Sequence, residues 1–239
     1  MDALNTLREI IAMTGSALRN AQEYIRNNIV SAAGSNDPGE AEENAGENVV
    51  PGDVVSFGRY WQEDSEVKTP VEWQVLDVKE NEALLISRYV LDCRQYHHER
   101  CSVTWAECDL RKWLNREFFR EAFSEEERKR IAVSHLKNES NPEFRTSGGT
   151  DTDDRIFCLS IRESVQYFRN NAERRCQPTL RAISQKAFIG KGFCYWWLRS
   201  PGDYHNDAVR ISASGAVELS GYRVSNYTST VRPALRVIL

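Results

Sequence analysis

Apolar residues recur along this chain at two different periods, and the change from one to the other divides it. Leu4, Leu7, Ile11, Thr14, Leu18, Ala21 and Ile25 fall at alternating steps of three and four, an a/d seam about three heptads long. Ile10 and Ala17 widen the stripe, and Arg8, Glu9, Asn20, Gln22 and Glu23 take the opposite face. The spacing predicts one helix over residues 2–27. A lone helix of that length is marginal in water, so its seam is expected to be covered, by copies of itself, by its own domain or by a partner. Residues 31–48 hold Gly, Ala, Asn and acids with one Pro and no aromatic, too little apolar surface to order themselves. The expected organisation is an N-terminal amphipathic oligomerisation helix over 1–30, an acidic flexible linker over 31–50 and a globular domain over 51–239.

Within the domain the period drops to two. Residues 53–57 carry a strand signal, residues 71–78 alternate, and a Glu80-Asn81 turn leads into the apolar run 83–87, which predicts antiparallel strands. Helical signals follow. Thr104-x-x-Glu107, Ser124-x-x-Glu127 and Ser160-x-x-Glu163 have capping-box spacing, with Leu110, Trp113, Leu114 and Phe118 on one face after the first, and Val165, Tyr167 and Phe168 after the third. Residues 138–155 read as a long polar loop, functional or mobile, before a short buried strand at 156–159; residues 179–187 suit a further short helix. The closing stretch predicts a small antiparallel sheet from 196–198, 207–211, 216–219 and 231–237, with a hairpin turn at Ser214-Gly215.

Charge narrows the function classes. The formal balance is −4, but residues 31–50 carry five acids and no base, leaving 28 bases against 27 acids over 51–239. Such a domain has no net field to gather nucleic acid or an anionic membrane. No apolar run is long enough to span a bilayer, and Asp2, Arg8 and Glu9 break any secretory-signal order, so a cytoplasmic protein is expected. Six cysteines in 239 residues do not make a disulfide scaffold; most are expected reduced and packed.

Candidate chemistry is sparse. Cys93, His97, His98, Cys101 and Cys108 cluster, but only His97/His98 to Cys101 has metal-ligand spacing and a second pair is missing, so packed or exposed thiols are expected, with no metal or cofactor. Asp151-Thr152-Asp153-Asp154 lacks the Gly and distal Glu of a calcium loop and is expected to serve a turn or cap. There is no Gly-x-Ser-x-Gly elbow, phosphate-cradling loop or His-Glu-x-x-His, and no spacing that selects a Cys–His dyad, so no catalytic residue is assigned. The segment from Asp203 to Thr230 is different: fifteen of its twenty-eight residues are Tyr, Asn, Asp, His, Ser or Thr. That mixture suits an adaptable contact surface, Tyr giving area at low entropic cost and small polar residues giving hydrogen bonds. Ordinary polar loops share part of this composition. Arg199 and Arg232 flank the segment beside Trp and Pro residues, as structural anchors.

The motifs Leu110-Arg111-x-Trp113-Leu114-Asn115, Thr152-x-Asp154-x-Ile156-Phe157-x-Leu159-Ser160, Cys176-x-Pro178-Thr179, Trp196-Trp197-Leu198-Arg199-Ser200-Pro201-Gly202 and Val231-Arg232-Pro233-Ala234-Leu235 resemble a bacterial family of domains of unknown function, over about residues 51–239. That family in turn resembles a C-type-lectin-like fold, related in architecture to formylglycine-generating enzymes and to the variable proteins of diversity-generating retroelements. The resemblance implies an α+β fold of small antiparallel sheets and short helices. It also implies a display surface in which adenine-directed rewriting of Asn codons yields residues such as Tyr, His, Asp, Ser and Thr. The residues expected to meet a ligand, most simply a protein, are Tyr204, His205, Asn206, Asp207, Ser220, Tyr222, Arg223, Asn226, Tyr227 and Ser229. The enzyme relatives use a C-terminal cysteine pair, whereas here Cys194 follows only the distant Cys176; the Glu-Pro-Asn and Trp-Asn-Asp calcium motifs of sugar-binding lectins are absent. A cysteine-dependent enzyme and a structural assembly component are the alternative readings.

Overall fold

A computed structural model describes residues 49–63 and 66–239. The expected helix over 2–27 and nearly all of the expected linker lie outside the described residues.

Strand β1 (Val54–Tyr60) opens a five-stranded sheet and pairs antiparallel with β2 (Thr69–Lys79), which turns at Glu80 and Asn81 into β3 (Glu82–Ser87). The alternation read from the sequence has its cause here: Val71, Trp73 and Val75 are buried, and the residues between them are less so. β3 is buried along nearly its whole length because it lies between β2 and the C-terminal strand β14 (Ala234–Ile238). The sheet runs β1-β2-β3-β14-β7, with β7 (Ile156–Phe157) at its edge.

A second sheet carries the polar segment. Its order is β12-β11-β10-β13-β4, from β12 (Val217–Arg223), β11 (Asp207–Ile211), β10 (Trp196–Pro201), β13 (Thr230–Val231) and β4 (Asp92–Cys93). Trp196 and Trp197 are neighbours on β10 and so point to opposite faces, yet both are completely buried. The sheet is therefore covered on both sides at this strand. Each indole N–H donates to a main-chain carbonyl, Trp196 to Arg174 at 3.0 Å and Trp197 to Arg94 at 2.9 Å. β5 (Ser134–Leu136) with β6 (Thr152–Asp154), and β8 (Ile189–Gly190) with β9 (Phe193–Cys194), form two small antiparallel pairs.

The closing stretch does not form one antiparallel sheet. β13 runs parallel to β10, through Trp196 and Thr230, and β14 crosses to the first sheet. Pro233 marks the crossing: without an N–H it cannot extend β13, and its carbonyl instead accepts from Ser87 N at 2.9 Å.

Helices are short. α1 (Asp109–Trp113) continues through a π-helical turn (Leu114–Phe118) into α2 (Phe119–Ala122); α3 (Glu125–Arg130), α4 (Ile161–Gln166), α5 (Asn171–Arg174) and α6 (Leu180–Ser184) follow. The boxes at Ser124 and Ser160 form with both reciprocal hydrogen bonds. That at Thr104 does not start a helix. The Thr104 carbonyl accepts from Glu107 N and Cys108 N in a closed turn, and α1 begins at Cys108, whose sulfur accepts from Arg111 N at 3.4 Å. Val165, expected on the apolar face of α4, is exposed.

Leu110, Leu114, Phe118 and Phe123 from the helical segment share one core with Trp73, Trp105, Trp196 and Trp197. The six cysteines are unbridged, and five are buried. Among the described residues no helix is long and apolar enough to cross a membrane.

Candidate functional site

Three loops and the strands β11 and β12 make up the segment from Asp203 to Thr230. In the β10–β11 connection, Gly202 packs so closely on β12 that a side-chain carbon there would strike the Ser220 carbonyl. Gly202 N donates to Asp207 O, Asp203 N to Ser220 O and Asp207 N to Tyr204 O, which closes the turn and leaves Tyr204 and His205 outside. Tyr204 is 68 % exposed. Asn206 and Asp207 are half-buried, and burial together with the neighbouring Asp203 raises the Asp207 carboxyl above its ordinary value.

In the β12–β13 connection the Asn226 Oδ1 accepts from the main-chain N–H groups of Thr228 and Ser229 and from both their hydroxyls. This side-chain-made turn pushes Tyr227 outward, 64 % exposed. It also engages two of the expected contact residues. Ser229 is fully buried, its hydroxyl donating to Asn226, and Asn226 spends its carbonyl oxygen on the turn; both shape the loop from within. Ser220, Tyr222 and Arg223 lie exposed on edge strand β12.

Arg210, on β11, holds this side together. Its guanidinium lies between the rings of Tyr195 and Tyr222, 4.1 and 4.0 Å from their centroids, while Nε pairs with Glu218 at 2.7 Å. Nothing in local sequence marks Arg210; the register opposite Glu218 does, and that appears only once β11 and β12 pair. The two expected anchors are buried. Arg199 forms a bidentate ion pair with Glu163, and Arg232 donates to Ser87 O between the rings of Phe168 and Trp196.

Residues 94–109 border both tyrosine loops. Val103 N donates to His205 O, Gln95 Nε2 to Ser225 O, and His97 N to Val224 O. Tyr204 flanks a depression lined by Arg100 and Ser102, and Tyr227 helps line an open cleft of about 370 Å³ with Cys93, Arg94, His98, Asp109 and Trp113. Arg94 stacks on Trp113 at 4.0 Å.

The long polar loop is strapped down. Buried Asn141 donates from Nδ2 to the carbonyls of Pro201 and Leu219, both at 2.8 Å, and Thr146 Oγ1 donates to Asp203 O at 2.8 Å. In the expected turn at 151–154, Asp154 is buried on β6 and accepts from Trp105 Nε1 and Arg111 Nε.

Burial works against the thiolate form in five of the six cysteines. Burial pushes Cys93, Cys108 and Cys194 each up to about 12 and raises Cys158 and Cys176 as well, so little thiolate exists at neutral pH.

A mixed α+β domain of small antiparallel sheets and short helices, presenting tyrosine-bearing loops from one of them, is the class that fold and site define. The model of a domain of unknown function, DUF6273, matches residues 80–238, and the chain belongs to that family. No curated protein and no solved structure matches it.

Proposed function

We propose that residues 51–239 are a C-type-lectin-like display domain that binds a ligand, most simply a protein, through Tyr204, His205, Ser220, Tyr222, Arg223 and Tyr227. The contrast of exposure carries this reading. Tyr204, Tyr222 and Tyr227 are 68, 42 and 64 % exposed, whereas Trp196, Trp197, Arg199 and Arg232 beside them are buried. Large aromatics held in the open by buried anchors lose little entropy on binding, and they can change identity without unfolding the scaffold. That is also what a surface diversified by a retroelement requires. A near-copy of the codons for 203–230, differing at adenines and lying beside a reverse transcriptase gene, supports diversification; an isolated gene argues against it. Copies joined through residues 2–27 convert weak single contacts into avidity.

A photo-crosslinking residue placed in turn at Tyr204, Tyr222 and Tyr227 tests the surface. The same partner is expected from these positions and not from exposed Val133 or Val165. Tyr222→Ala and Tyr227→Ala should lose that partner with little change in melting temperature, while Trp197→Ala, which empties a fully buried site, should cost about 3–5 kcal/mol. Equal melting losses in all three variants would refute the division into anchor and surface. The alternative of a cysteine-dependent enzyme is answered by thiol-reactivity profiling, in which one unusually fast cysteine favours catalysis.

A further inference from the structure

Where His98 and Asp109 line the same cleft as Tyr227, their donor atoms gather with one of the neighbouring His97. The His97 Nδ1 lies 3.0 Å and the His98 Nδ1 2.5 Å from the Asp109 Oδ2, and all three lie within 4.8 Å of one another. Ligands of one tetrahedral ion with bonds of about 2.1 Å stand roughly 3.4 Å apart. His98 Nδ1 and Asp109 Oδ2 are directly hydrogen-bonded, so a cation entering the cluster would replace that bond and part the donors to roughly 3.4 Å. His97 Nδ1 is buried and, although near Asp109, is not aligned to hydrogen-bond with anything. Its lone pair is therefore available to a cation held by the same carboxylate.

The backbone keeps the three side chains together. Asp109 opens α1, and its Oδ2 also accepts from His98 N at 3.1 Å. His97 N donates to Val224 O and Leu110 N to Tyr96 O, so the residue preceding the histidine pair and the one following Asp109 are joined directly. Tyr96 and Leu110 are both buried. Glu99 adds negative charge 3.5 Å from His98 Nε2. Lys112, 3.5 Å from the other Asp109 oxygen, is half exposed and free to swing into solvent.

We propose that His97, His98 and Asp109 bind one divalent first-row transition ion, Zn²⁺ being the best match to two imidazoles and a carboxylate, with a remaining coordination position open to the cleft that Tyr227 helps line. Cys101, the residue whose sequence spacing suggested a metal, is not part of the set. The proposal does not rest on the ligand-binding reading.

Calorimetric titration of the chelator-stripped full chain with Zn²⁺ tests it. The expected result is saturable one-to-one binding, at least about tenfold weaker in both His98→Ala and Asp109→Asn and unchanged in His135→Ala and Cys101→Ser. Co²⁺ should give a visible spectrum without a thiolate charge-transfer band. Metal-free melts accompany each variant. If Asp109→Asn unfolds early, His98→Ala, whose side chain is largely exposed, decides alone. Absence of saturable binding in the wild type, wild-type affinity in His98→Ala, or loss of binding in Cys101→Ser overturns the site.

Discussion

Glu163 serves two structures with one carboxylate. It completes the capping box of α4 by accepting from Ser160 N at 2.7 Å, and it neutralises the buried Arg199 of β10. Burial alone would raise this carboxyl, but the Arg199 charge and the hydrogen bonds it accepts hold it below the ordinary glutamate value of 4.5. A folded value lowered in this way stabilises fully above the unfolded pKa, and the contribution disappears as pH falls through the folded value. Glu163→Gln should cost about 3 kcal/mol at neutral pH, because it strands a buried guanidinium. The variant should also lose less additional stability on acidification. Urea melts between about pH 6 and pH 3 check both parts, and parallel acid limbs for variant and wild type would count against the pairing. Only half of this was legible beforehand. The Ser160–Glu163 spacing is local and announces a cap, whereas the Arg199 partner lies thirty-six positions away and becomes a neighbour only when α4 packs against β10.

Elements that depend on neighbours in sequence were the readable ones. The Ser124 and Ser160 caps, the turn after β2 and the Ser214-Gly215 hairpin rest on contacts within four residues, so composition and spacing suffice. Thr104 has the same spacing and fails as a cap, because the turn it closes is followed by a chain already tied to Tyr96 through Leu110 N. The loop between β5 and β6 likewise depends on partners distant in sequence. Its polar composition suits mobility, but Asn141 lies at its centre, fully buried, donating to Pro201 and Leu219 and accepting from Glu143 N and Phe144 N. Asn141→Ala should destabilise by about 3 kcal/mol, since several buried groups lose partners together. Limited proteolysis should then cut within 138–151, near the base of the Tyr204 loop. An unchanged digest and melt would mean that the strap is dispensable.

At the scale of the whole molecule, the described domain has its own sheets, core and termini. The C-terminal β14 lies inside the sheet beside β3, with β2 and β3 between it and β1. Such a unit should fold without the segment before it. Removing residues 1–48 is expected to leave the melting temperature of the remaining chain within a few degrees while reducing its mass in solution to that of one copy. A deletion that keeps the parent's oligomeric mass would place self-association in the domain itself; one that unfolds the domain would make the N-terminal segment part of its core.

The residues alone determined that 71–78 alternates, that Ser124 and Ser160 cap helices and where polar, tyrosine-bearing loops fall, because each follows from burial at a fixed local period or from hydrogen bonds within one turn. Tertiary structure alone decided that β13 lies parallel to β10, that β14 belongs to the other sheet, that Arg210 is held between Tyr195 and Tyr222, and that Asp109 rather than Cys101 stands beside His97 and His98. Each of these is a pairing between residues that the local pattern leaves independent. Packing around one shared core fixes them, and no single element carries that information.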